Sequence, residues 1–152
     1  MKKLIADPYP DNSCFFCGRD NENGLKLKFY CDEKQKEVST EYRPSQYFVG
    51  QGKILHGGIQ MGLLDEIMGW TCYVFTKEMA VTSGLEVRFL MPVYVSGEKI
   101  RVTCRVLSRK GAKVKMLAEL LNSEKAACTT ATGTYHVLKK EKYDSIISGK
   151  SL

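Results

Sequence analysis

Gly57-Gly58-Ile59-Gln60-Met61-Gly62-Leu63-Leu64-Asp65-Glu66-Ile67-Met68-Gly69-Trp70-Thr71-Cys72-Tyr73-Val74-Phe75 runs without a proline. Its apolar residues, Ile59, Met61, Leu63, Leu64, Ile67, Met68, Trp70, Val74 and Phe75, cover most of a helical wheel. Such a helix is buried on nearly all sides rather than along one stripe. His56, Gln60, Asp65 and Glu66 make the stretch from Ile54 to Phe75 too polar to cross a bilayer. A lone helix of this kind needs cover from everything around it.

The flanking sequence supplies strands. Gly24 to Tyr30 alternates apolar and basic residues with strand period and reads as the first strand. Asp32 to Lys36 is a polar turn, and Glu37 to Tyr42 is the returning strand, ended by Arg43-Pro44. Tyr47 to Leu55 forms a glycine-rich loop. After the helix, Ala80 to Met91, Lys99 to Ser108, Lys113 to Leu121 and Ala126 to Leu138 are rich in Val, Thr, Leu and Tyr and are separated by Gly or Asn-Ser turns. Two strands, one helix and four strands point to an α+β antiparallel sheet packed on a single helix, not to alternating parallel units. A curved sheet covers most of the helix, and a second copy of the chain covers the rest. A length of 152 residues suits one domain, 1–152, with 1–23 irregular and the polar tail 139–152 loosely held.

Composition narrows the class. A hydrophobic fraction of 43% with 26% charged residues is that of a soluble globular protein. Met1 to Pro8 holds two lysines but no apolar stretch long enough for a signal peptide, so the expected location is cytoplasmic and the six cysteines are expected reduced. Cys72, Cys104 and Cys128 lie in apolar or alternating segments, as small hydrophobes do. Cys14-Phe15-Phe16-Cys17 has the spacing of half a zinc site, but a tetrahedral structural site needs a second pair, and His56 and His136 are isolated from it. No metal is expected, and the two thiols are read as packing inward on a turn. The net charge of +6 suits an anionic partner. The basic residues are scattered and form no nucleic-acid module, so neither nucleic acid nor a membrane is expected as a partner.

Chemistry concentrates between Leu55 and Glu66. A helix start leaves amides unpaired at the positive end of the dipole, and Gly57 and Gly58 let a carbonyl oxygen approach them, as an oxyanion would require. Asp65 follows Gly58 by seven residues, almost two turns, so both face the same way. An aspartate in such apolar surroundings is costly unless used or satisfied, and desolvation tends to raise its pKa, which marks a base or nucleophile. The plainer reading is that Asp65 bonds a neighbouring strand and the glycines only permit a tight bend. Glu66 lies about 100° around the helix and is expected to pair with a lysine or arginine of the sheet. His56 either acts as an acid or donates to a carbonyl, or only bonds its own loop, and His136 is assigned no role.

These residues resemble the motif of the hotdog-fold thioesterases of the phenylacetate-pathway type, in which His-Gly-Gly opens the central helix and an acidic residue follows. Cys14 to Leu25, as Cys-x-x-Cys-Gly then Asn-x-x-Gly-Leu, and Val87-Arg88-Phe89-Leu90-Met91-Pro92-Val93 extend the resemblance to roughly Cys14 to Val137. The resemblance implies a hotdog fold, an antiparallel curved sheet wrapped around one long central helix. It implies a homodimer joined sheet edge to sheet edge with active sites at the interface, and pairing of dimers into a homotetramer. The implied activity is that of an acyl-CoA thioesterase, with coenzyme A entering only as part of the substrate and no other cofactor. Asp65 matches the catalytic carboxylate, Gly57 or Gly58 the oxyanion amide, and His56 the histidine. Thr82 or Ser83 matches a hydroxyl residue brought by the partner chain near the attacking water. Some members carry an amide side chain in the loop before His-Gly-Gly; the matching place is near Gly50-Gln51, where Gln51 is the substitute. Contacts to the coenzyme A phosphates are expected from among Arg88, Arg105, Arg109, Lys110 and Lys113. Met61, Met68 and Trp70 are expected to shape an apolar slot for the acyl group. Two rival readings are a hydratase or dehydratase of the same fold and a non-catalytic acyl-CoA binding module in which Asp65 is structural.

Overall fold

The computed structural model describes residues 1–8 and 12–149. Its strands are β1 (Lys2–Leu4), β2 (Tyr30–Asp32), β3 (Glu37–Tyr42), β4 (Ala80–Phe89), β5 (Ile100–Lys110), β6 (Lys113–Leu121) and β7 (Ala127–Val137). The helices are α1 (Gly57–Thr76) and α2 (Lys140–Ile147), with a short 3-10 turn at Gln46–Phe48. All seven strands form one antiparallel sheet in the order β1-β2-β3-β5-β6-β7-β4, which leaves β4 as an open edge.

The 20 residues of α1 make a rod of about 30 Å. It lies against β3, β4, β5, β6 and β7, which is why its apolar residues surround it. Leu63, Leu64, Ile67 and Met68 are completely buried, facing Val102 and Cys104 of β5 and Val114, Met116, Ala118 and Leu120 of β6 within one core. On β6 these alternate with the exposed Lys113 and Lys115, the pattern of a sheet with one dry face. Because α1 is the centre of that core, Leu64→Ala is expected to cost about 2–5 kcal/mol in urea denaturation.

Three expectations give way. The strand expected from Gly24 starts only at Tyr30, as β2, because Lys26 has φ 51, a left-handed conformation that interrupts extended chain. Leu25 and Leu27 instead donate to the carbonyls of Phe15 and Phe16 at 2.8 and 2.9 Å, and the alternation survives only as the burial of Leu27 and Phe29. The segment 1–23 contains β1, which takes up the free edge of β2, while residues 9–11 lie outside the described residues. The tail forms α2 instead of trailing loosely, residues 150–152 being outside the described residues. Among the described residues no helix is long and apolar enough to cross a membrane.

Candidate active site

The start of α1 is built by His56. Its Nδ1 accepts from the Gly58 amide at 2.8 Å, and its carbonyl accepts from the amides of Ile59 and Gln60 at 3.0 and 3.1 Å. A neutral imidazole that accepts at Nδ1 carries its proton on Nε2. Of the two glycine amides proposed for an oxyanion, Gly58 is therefore occupied by its own cap, and Gly57 is the one with no partner among the described residues. The glycine at 58 has a packing reason, since a Cβ there would meet His56 Nδ1 at 3.0 Å. The space over Gly57 is bounded by the Phe89 ring, 3.3 Å from where a Cβ would stand. Below, Gln60 is buried, donating from Nε2 to the Leu55 carbonyl at 2.8 Å and accepting from the Thr129 hydroxyl. Gln60→Leu strands both groups and is expected to cost about 1–3 kcal/mol of stability, read by denaturant unfolding.

Asp65 is half-buried on the side of α1 that faces β4 and β7. Its Oδ1 accepts from the Thr82 hydroxyl at 2.9 Å and from the Tyr135 hydroxyl, which also lies 2.7 Å from the Asp65 carbonyl. Oδ2 has no partner among the described residues. Burial, and then the Asp65 charge, push the Tyr135 phenol further above its usual range, so it stays protonated and donates. Thr82 reaches Asp65 of its own chain. A bulge between Thr82 and Gly84 aims it, and the intervening Ser83 turns its hydroxyl to the Thr134 carbonyl at 3.0 Å.

Along α1, Gly57 and Asp65 are eight residues apart, a rise of about 12 Å. Gly58, seven residues before Asp65, is the glycine that the spacing aligns with it; Gly57 stands about 80° round the helix from Asp65, and one chain does not bring Gly57 and Asp65 within reach of a single carbonyl.

Glu66 departs from its expected ion pair. Its Oε1 accepts from Trp70 Nε1 at 3.1 Å, its Oε2 lies 3.6 Å from Cys14 Sγ, and burial pushes the carboxyl up to about 7. The Cys17 thiol donating to Cys14 holds Cys14 down to about 5, and the same contact together with burial pushes Cys17 up. Asp65, Glu66, Trp70, Thr82, Tyr135 and both thiols share the wall of one cavity of about 510 Å³, closed on another side by Tyr143 and Ile147 of α2.

The expected substrate contacts are dispersed. Arg88 pairs with Glu86 at 3.1 Å at the far end of β4, while Arg109 pairs with Glu78 at 2.8 Å and lies beside Lys110 near the start of that strand. Seven residues of strand, about 23 Å, separate Arg88 from Val81, so within one chain these cations do not form one phosphate cluster. Met68 is fully buried in the core and cannot line an acyl slot, whereas Trp70 does line the cavity; Met61 and Gln51 are exposed.

The sequence model of the thioesterase superfamily matches residues 52–129, half of the chain. The chain belongs to the thioesterase superfamily. Its architecture is the α+β hotdog fold of that superfamily, as solved structures bear out. A thioesterase superfamily protein superposes with a TM-score of 0.75 at 18% identity, covering 82% of this chain and 60% of that one. This chain thus spans less than two thirds of that protein's length. The PaaI protein of the Escherichia coli phenylacetic acid degradation operon gives 0.67 at 17% identity, covering 76% and 81%. A Streptococcus mutans protein solved with acetyl CoA gives 0.64 at 21% identity, covering 69% and 83%. No curated protein sequence matches the chain.

The superfamily motif drew attention to His56, Gly57, Gly58 and Asp65 but not to Tyr135. The strand period did carry a signal for it: Ala131, Gly133 and Tyr135 point inward together on β7, and a buried tyrosine needs a partner for its hydroxyl. The spacing of Glu66 and Trp70, one turn apart, likewise offered a pair that was not read.

Proposed function

We propose that the protein is an acyl-CoA thioesterase with Asp65 as its catalytic carboxylate. The observation that carries this reading is a half-buried carboxylate fixed through one oxygen by two hydroxyls, with its other oxygen unpartnered among the described residues, on the wall of a cavity. The acetyl CoA bound to the S. mutans neighbour supports the substrate class. In one route Asp65 takes a proton from water as the water attacks the thioester carbonyl. The tetrahedral oxyanion is held by the Gly57 amide, and collapse releases the acid and the coenzyme A thiolate, to which the proton returns. In the other route the carboxylate attacks directly, expels the thiolate and forms an anhydride that water then opens.

Both routes need the amide and the carboxylate at about 3 Å from the same reacting group. The rise of about 12 Å between them argues that each site combines Asp65 of one copy with Gly57 of another. The open edge β4, with Phe89, Leu90 and Met91 exposed beyond Thr82, supports a homodimer joined there. Arg88, at the end of that edge, remains a proposed phosphate contact.

Thiol release from a panel of short, long and aromatic acyl-CoAs tests the function. Release from any of them sustains it, and binding without release favours the non-catalytic module. Tyr135→Phe removes one hydrogen bond to the carboxylate and is expected to lower kcat roughly tenfold, the worth of a hydrogen bond to a charged group. An unchanged kcat would assign the tyrosine to packing alone.

A further inference from the structure

The turn carrying Cys14 and Cys17 is pressed onto α1 so closely that a Cβ at Gly62 would meet the Phe16 ring at 2.0 Å. That packing sets both thiols beside Glu66, 52 residues from Cys14 in sequence, and the three ligand atoms lie within 4.8 Å of one another. We infer that Cys14, Cys17 and Glu66 bind a zinc ion whose fourth position opens on the cavity.

Three observations support it. Tetrahedral ligands with Zn–S about 2.3 Å and Zn–O about 2.0 Å stand about 3.5 Å apart, and Cys14 Sγ and Glu66 Oε2 are separated by 3.6 Å. The groups behind the ligands hold them in that arrangement. Trp70 takes Oε1 of Glu66 and leaves Oε2 to the thiols, while the buried Asn12 sets its Nδ2 3.4 Å from Cys17 Sγ and its Oδ1 3.1 Å from the Cys14 amide. Finally, no lysine or arginine pairs with Glu66 among the described residues, so a cation has a charge to balance. Two thiolates and one carboxylate suit zinc over magnesium or calcium.

The sequence expectation of no metal rested on the lack of a second cysteine pair; the third ligand comes from the helix instead. Binding is an exchange without redox change, in which the ion enters and the thiol protons leave to solvent. The site does not use Asp65, so it stands or falls separately from the thioesterase reading.

The test is titration of the reduced, chelator-stripped full chain with cobalt chloride. One cobalt per chain is expected, with a thiolate-to-cobalt charge-transfer band in the near ultraviolet that zinc chloride abolishes. Cys14→Ser or Cys17→Ser weakens or removes the band. Glu66→Gln keeps a thiolate band but binds at least about tenfold more weakly, the low end of losses for groups that tune a metal site. Zinc also raises the melting temperature of the wild type. The inference is overturned if the wild type shows no such band, if Glu66→Gln binds cobalt as tightly as the wild type, or if the thiols pair as a disulfide and the reduced chain takes up no metal.

Discussion

Asp65→Asn is expected to lower thioester hydrolysis by about a hundredfold or more, the usual worth of a positioned general base. Asparagine keeps the shape and still accepts from the Thr82 and Tyr135 hydroxyls at its side-chain oxygen, so folding should be nearly unchanged. Thiol release from the best acyl-CoA of the panel, with melting curves alongside, measures this. A variant that keeps full activity removes Asp65 from the chemistry, whereas a variant that loses activity and stability together points to a structural carboxylate.

Gly57→Pro is expected to cost about a hundredfold to a thousandfold in kcat, as loss of one oxyanion donor does. Proline deletes the amide hydrogen and little else here. Gly57 is the first residue of α1, where proline is well tolerated, and His56 has ψ 132, outside the α region that a following proline disfavours. The exposed Phe89 ring must give by a few tenths of an ångström. The two variants also test the shared site. Mixed and allowed to exchange, Asp65→Asn and Gly57→Pro chains should regain about a quarter of wild-type activity if a homodimer pairs an intact Asp65 with an intact Gly57 across two copies. If each chain houses a whole site, mixing restores nothing.

The sequence made α1, β6 and β7 legible to within a residue or so because their signals are local: a run without proline, and strict alternation between turn residues. The N-terminal third was less legible. Lys26 leaves the strand region at φ 51 inside an otherwise alternating stretch, and no propensity announces that. β1 exists only because β2 has an edge to fill, and the turn at Cys14 is placed by Phe16 meeting Gly62, contacts that pair residues distant in sequence. The site divides in the same way. The glycines, His56 and Asp65 sit within ten residues and carry a motif. Tyr135 and Thr82 come from strands whose position beside α1 is a matter of sheet order, and the neighbours of Glu66 come from the far end of the chain. The rise of about 12 Å between the Gly57 amide and the carboxylate was open to arithmetic, and the angular agreement of Gly58 with Asp65 obscured it.

The vacant margin of β4 has a temporal consequence. Under the proposed shared site, a single chain holds two halves of two catalysts and no whole one. Under that reading, a chain freshly released from the ribosome is inert toward thioesters until it meets a twin. Its specific activity should then fade on dilution, following the dissociation of copies rather than any loss of fold.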